Sequence, residues 1–211
     1  SMGWFDLSTL KEPYRIEGKK TMGLELAEQF NWKLPDVIFY PTGGGTGLIG
    51  MWKAFNELRE MGWLDSSVMP RMISVQSNGC SPIVNAYDRG EKHATPVRNA
   101  QTVARGIRVP GAVGDFMILD AIRQSNGAAV AVEEEAIMSW MSRATATEGI
   151  CICPETGACF AAVQQCLANG TVSADDNIVI FNTGASQKYS EAIARDLPLL
   201  DINQPIDWST I

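Results

Sequence analysis

The sequence predicts an α/β fold of three layers, α-β-α, with a mainly parallel sheet. Three observations point there. Short runs rich in Val and Ile recur along the chain without interruption by polar residues, as strands buried on both faces require. Longer segments with apolar residues three and four apart separate them. At residues 41–47, 154–158 and 182–186 the end of a strand runs into a turn that opens the next helix. Alternation of this kind builds right-handed crossovers, with helices on both faces of one sheet.

The elements follow in order. Residues 1–20 contain Pro13, show no clear period and read as an irregular segment. The first helix is expected over 21–30, where Met22, Leu26 and Phe30 lie four apart. A strand over 37–40 leads to a helix over 46–61, whose Leu48, Met51, Trp52, Phe55 and Leu58 form one apolar face. Strands are expected over 72–76, 128–132, 150–153 and 178–182. Helices are expected over 115–125, 133–147, 155–168 and 185–195, with another around 98–106 after a polar loop at 87–96. The acidic run Glu133-Glu134-Glu135 opens a helix, where its charge complements the dipole. Residues 197–211 carry Pro198 and Pro205 and read as an extended tail. One α/β domain, 21–196, therefore lies between two less regular ends.

Composition excludes several classes. A chain of 211 residues suits one domain. Its formal charge of −7 argues against nucleic acid and anionic membranes, which attract cationic faces. No apolar run approaches the ~18 residues of a membrane span. The opening Ser1-Met2-Gly3-Trp4-Phe5-Asp6 has neither the cationic nor the apolar part of a secretory signal. With five cysteines, an odd number, the expectation is reduced thiols in the cytoplasm. Cys151, Cys153, Cys159 and Cys166 lie in strand-like and helical contexts rather than paired knuckles. They read as buried packing thiols, not metal ligands. His93, in the polar loop, reads as a solvated surface residue.

The most specific local signal is Pro41-Thr42-Gly43-Gly44-Gly45-Thr46-Gly47, between a strand and a helix. Glycines allow a tight turn and close approach of a ligand, and amides at a helix start favour an anion. Gly43, Gly44, Gly45, Thr46 and Gly47 are thus expected to cradle a phosphate, with the Thr42 and Thr46 hydroxyls as further donors. No Gly-Lys-Ser/Thr follows, so this is not a Walker A loop. The spacing also departs from the dinucleotide fingerprint, and Glu60 and Asp65 precede the second strand where that motif needs an acid at a strand end. A second turn, Asn182-Thr183-Gly184-Ala185-Ser186, has the same position after a strand. Both turns would meet at the carboxyl edge of a parallel sheet, where such folds bind ligands. Thr183 and Ser186 are candidates to hold one polar ligand atom, and a helix cap is an equal reading of Ser186. Glu155, in the turn at 154–158, is either a first-turn helix acid or a site residue, and the sequence alone leans to the former.

Taken together, these segments resemble the threonine synthase branch of the fold-type II pyridoxal-phosphate enzymes. The resemblance rests on Pro13-Tyr14-Arg15-Ile16-Glu17-Gly18-Lys19-Lys20-Thr21, on Pro41 to Gly47, on Pro70-Arg71-Met72-Ile73-Ser74-Val75-Gln76 with Ser81-Pro82-Ile83-Val84, on Glu148-Gly149-Ile150 through Ala158, and on Asn182-Thr183-Gly184. It implies the C-terminal part of that large domain, with pyridoxal 5'-phosphate as cofactor. Its phosphate would lie on Gly43 to Gly47, and Thr183 would face the pyridine nitrogen. It implies elimination or replacement at the β or γ carbon of an amino acid. The family pattern after the last turn is Gly-x-Gly-Leu-Lys, whereas here it is Gly184-Ala185-Ser186-Gln187-Lys188. The family's cofactor lysine precedes the glycine loop in a Ser-Phe-Lys-Asp type motif. None of Lys11, Lys19, Lys20, Lys33, Lys53, Lys92 and Lys188 stands in that context. The expectation is a chain without that lysine and inactive alone. The alternative is a short anion-binding or regulatory module. Trp52, Phe55, Met138, Trp140, Met141 and Phe160 are expected to leave an apolar face that drives formation of a homodimer.

Overall fold

The structure, a computed structural model, describes residues 2–193 together with 203, 205 and 208. Four strands form one wholly parallel sheet in the order β3-β2-β1-β4. They are β1 (Val37–Pro41), β2 (Arg71–Ser77), β3 (Ala128–Val132) and β4 (Ile178–Ile180). The register is exact across the centre, with Val37 opposite both Arg71 and Ile178.

Alternation along the strands divides the core. Ile38, Tyr40 and Met72 face one layer with Leu48, Met51, Phe55, Ile83, Ile118 and Ile122. These come from α2 (Thr46–Glu60), α3 (Pro82–Asp88) and α4 (Asp115–Gln124), and α1 (Tyr14–Gln29) completes that side. Val37, Phe39, Ile73 and Val75 face the other layer, against Ile137, Ala158, Cys159, Ala162 and Cys166 of α5 (Glu134–Glu148) and α6 (Pro154–Ala168). The three-layer architecture is therefore as expected, and successive side chains of one strand feed both layers.

Several local expectations change. The first helix starts at Tyr14 rather than at residue 21. Its Gly23 packs so closely on α2 that a Cβ there would lie 2.9 Å from the Ala54 Cβ, and Gly50 of α2 lies equally close to Lys19. Glycine weakens a helix signal, yet here it permits the contact that stabilises the helix. Glu17, Lys20, Lys53 and Glu57 join the two helices in one ion-pair network. Residues 150–153 are not a sheet strand. Only Ile152 pairs, antiparallel with Ala185, because α6 begins directly at Pro154 and leaves no length for a ladder. Around 98–106 the chain is loop with one 3-10 turn at Arg105–Ile107. Of the helix expected over 185–195, residues up to 193 form a 3-10 turn at Ser186–Lys188 followed by α7 (Ser190–Ile193), and 194 and 195 lie outside the described residues. The extended tail expected over 197–211 lies outside the described residues except at 203, 205 and 208.

The expected apolar face is largely internal. Trp52, Phe55 and Met141 are buried, and Met138, Trp140 and Phe160 are partly covered. The large exposed apolar side chains include Trp4, Phe5, Leu7 and Trp63 instead. Four of the five thiols are buried and Cys151 is exposed. His93 is exposed, with Nδ1 3.4 Å from the Asp115 carboxylate. Among the described residues no helix is long and apolar enough to cross a membrane.

Candidate functional site

The glycine loop leaves the carboxyl end of β1. Gly45 caps α2 in the left-handed region, at φ 75°, where an L side chain is strained. Three of the glycines are also close-approach positions. A Cβ on Gly43 would meet the Gly106 carbonyl oxygen at 2.6 Å, one on Gly45 would meet Ile118 at 2.3 Å, and one on Gly47 would meet the Tyr40 hydroxyl at 2.0 Å. Gly44 alone of these faces open space, with nothing within 4 Å. Ile49 is the first α2 residue whose N–H turns back into the helix, to the Gly45 carbonyl at 2.9 Å. The N–H groups of Thr46, Gly47 and Leu48 thus have no intrahelical acceptor, and no side chain caps them. This is the donor set an anion needs.

The expected hydroxyl of Thr42 is not part of that set. Thr42 is buried and its Oγ1 donates to the Tyr40 carbonyl at 2.9 Å. Thr46 is half-buried.

A polar cavity of about 270 Å³ lies beside the loop, walled by Tyr40, Pro41, Gly106, Glu155, Thr183 and Lys188, among others. Pro41, at the head of the glycine loop, and Thr183 therefore meet in this cavity at the carboxyl edge of the sheet, and Gly43 to Gly47 are not among the residues of its wall. Thr183 is exposed and its Oγ1 lies 3.8 Å from the Cys153 Sγ. Its neighbour Asn182 is held by Thr156, which donates to Asn182 Oδ1 at 2.9 Å. Ser186 does not join Thr183 in this cavity. It lines an adjacent, more apolar pocket with Cys151 and Met141, and its side chain caps no helix.

Glu155 is in the first turn of α6, as read, and it also lies in the cavity wall. It is 3 % exposed. Its Oε1 accepts from the Gly106 N–H at 2.6 Å and from the Tyr189 hydroxyl at 2.7 Å. Burial first, and then this hydrogen bond, pushes the Tyr189 phenol well above its ordinary value. Gly106, Lys188 and Tyr189 are site residues that sequence reading passed over. Lys188-Tyr189 follows the Thr-Gly turn and could have been flagged by proximity, but nothing local marks Gly106.

The donor set, the open face at Gly44 and the adjoining polar cavity fit a small molecule carrying a phosphate. Comparison with known proteins identifies the group. Residues 1–184 match the family described as pyridoxal-phosphate dependent enzyme. The chain belongs to that family. Its cofactor is pyridoxal phosphate. Curated relatives include the threonine synthase of Methanocaldococcus jannaschii, 34% identical over 183 residues, and that of Methanosarcina acetivorans, 36% identical over 181. The matches cover 87% and 86% of this chain but only 45% and 44% of those proteins, so the chain spans less than half the length of these relatives. Solved structures with the same fold include an L-serine ammonia-lyase from Rhizomucor miehei, with TM-score 0.65 and 20% identity over 84% of this chain and 55% of that one. A maize serine racemase superposes with TM-score 0.63 and 19% identity, covering 87% and 53%.

Proposed function

We propose that this chain forms the phosphate-cradle part of a threonine synthase-like lyase that acts on an amino acid with a leaving group at its β or γ carbon. The observation that carries the reading is the set of unspent N–H groups at the start of α2, beside Gly44, the glycine of that loop that opens to free space. Gly43, Gly44, Gly45, Thr46 and Gly47 hold the cofactor phosphate through their amides and the helix dipole. Thr183 faces the ring nitrogen, and a hydroxyl there leaves that nitrogen without a counter-charge. When bound, the cofactor supplies an electron sink for charge developing at the substrate Cα. The chain's own residues position and enclose it. Tyr40 backs the loop at Gly47, and Tyr189 closes the wall opposite, tied to Glu155.

In this reading the covalent lysine is none of the seven in the chain, which has no turnover alone. It acts in the cytoplasm and pairs as a homodimer through its exposed apolar residues, Trp4 and Phe5 foremost. Lys188 is the lysine that tests the claim, because it lines the cavity. The chain is incubated with pyridoxal 5'-phosphate, reduced with borohydride and mapped by peptide mass. The expected result is saturable, phosphate-competed binding without a stoichiometric adduct at any one lysine. A stoichiometric adduct at Lys188 overturns the assignment, and a light-scattering mass of 23.0 kDa at all concentrations overturns the dimer.

A further inference from the structure

The cofactor reading draws on backbone amides at the glycine loop and on the Thr183 hydroxyl. It leaves unused a phenol that stands beside both. Tyr40 lies near the end of β1, and its side chain is 8 % exposed. The ring packs in the α2 layer of the core, edge-on to Phe181 with centroids 5.7 Å apart. Its hydroxyl makes no hydrogen bond with any described residue. Among the described residues, the sealed side-chain atoms without a partner are Ser74 Oγ and Glu155 Oε2, so the Tyr40 hydroxyl is not sealed and reaches open space. Tyr40 lines the polar cavity that also holds Thr183.

Gly47 fixes where this hydroxyl stands relative to α2. A Cβ on Gly47 would lie 2.0 Å from the hydroxyl oxygen and 2.4 Å from Cζ of Tyr40. In an α-helix each Cα–Cβ bond leans toward the N-terminus. The hydroxyl therefore fills the place of a side chain at position 47, on the N-terminal side of the first turn of α2. That is the end at which the N–H groups of Thr46, Gly47 and Leu48 have no intrahelical acceptor. Glycine at 47 is what admits the phenol there. Burial first, and then the Cys159 thiol, raises the Tyr40 phenol above its ordinary value, so it stays protonated and able to donate. A polar group nine-tenths buried and unpaired is costly, and folded proteins leave few of them. Here it opens beside an unspent donor set whose natural partner is an anion.

We infer that the Tyr40 hydroxyl binds the cofactor directly, donating a hydrogen bond to an oxygen of its phosphate alongside the amides of α2. The inference rests on the cofactor reading of the loop and adds to it a side-chain donor that selects for the phosphorylated ligand.

Tyr40→Phe removes the oxygen and keeps the ring against Phe181. Affinities of the unaltered chain and the variant are measured by titration calorimetry with pyridoxal 5'-phosphate and with pyridoxal, which lacks the phosphate. Loss of a hydrogen bond to a charged acceptor weakens binding of pyridoxal 5'-phosphate roughly 10- to 100-fold. Pyridoxal is expected to bind chain and variant alike, or neither. Equal affinity of the two for pyridoxal 5'-phosphate overturns the inference. A loss shared equally by pyridoxal also overturns it, because the hydroxyl would then serve the ring. Thermal melting without ligand gives an independent readout. An unpartnered hydroxyl can be removed with the melting temperature unchanged or higher, whereas a fall would mark a structural role and overturn the proposal. Failure of the cofactor reading itself looks different: the unaltered chain then binds pyridoxal 5'-phosphate no more tightly than pyridoxal, and the inference falls with it.

Discussion

Gly44 and Gly45 are adjacent, chemically identical and predicted to respond oppositely to the same methyl group. At Gly45 an alanine meets two penalties. The backbone sits at φ 75°, which costs a residue with a Cβ about 1–2 kcal/mol. The new methyl also lies 2.3 Å from both Cγ1 and Cδ1 of Ile118, a fully buried side chain that cannot swing out to solvent, and such overpacking costs about 1–3 kcal/mol. Together Gly45→Ala loses about 2–5 kcal/mol, which lowers the melting temperature of a chain of this size by about 4–20 °C. At Gly44 the methyl meets nothing within 4 Å and needs no left-handed backbone. There the fold is unchanged or gains about 0.4–1 kcal/mol from a less flexible unfolded chain. The space it fills is the space proposed for the phosphate, so at least one amide contact is broken and affinity falls about tenfold or more. Thermal melts and calorimetric titration with pyridoxal 5'-phosphate give both quantities from the same samples. Binding by Gly44→Ala within twofold of the unaltered chain would refute the cradle. A Gly45→Ala chain as stable as the unaltered one would refute the packing argument.

Two further predictions concern stability and thiol chemistry. Asp176 is held below its usual carboxylate range by the Ser173 N–H and then by Arg71, whose guanidinium lies 2.5 Å away and also donates to the Thr171 carbonyl. Because the folded value is depressed, this stabilisation is complete above about pH 3.8 and is lost as pH falls through the folded value. Asp176→Asn should cost about 1–2 kcal/mol at pH 7, and the difference in melting temperature should vanish in strong acid. A difference that persists there would exclude the ion pair as its cause. Among the thiols, burial raises Cys166 to about 11 and Cys159 well above its ordinary value, while Cys151 is exposed. An aromatic disulfide reagent at pH 8 should therefore release one fast equivalent, removed by Cys151→Ser, with the other four reacting at the rate of unfolding. Two fast equivalents would show a second accessible thiol.

Local pattern was enough for much of this protein. The strands at the centre of the sheet are continuous apolar runs because both faces are covered, and that signature needs only neighbouring residues to be seen. The apolar stripe of α2 is legible for the same reason, and so is the glycine loop, whose cluster of glycines is costly unless the backbone needs them. The helix at Tyr14 was hidden by Gly18 and Gly23, which weaken a helix in isolation, and of the two Gly23 becomes favourable only when α2 packs against it. Residues 150–153 carry a strand's composition but are denied a ladder by the helix that starts at Pro154. The cavity wall was least legible. Gly106, Glu155 and Tyr189 are separated by 49 and 34 residues, and their meeting depends on where the sheet places three turns. Periodicity and turn chemistry are short-range properties written into adjacent residues. The pairing of one buried carboxylate with a distant amide and phenol is a long-range property that exists only once the chain has folded.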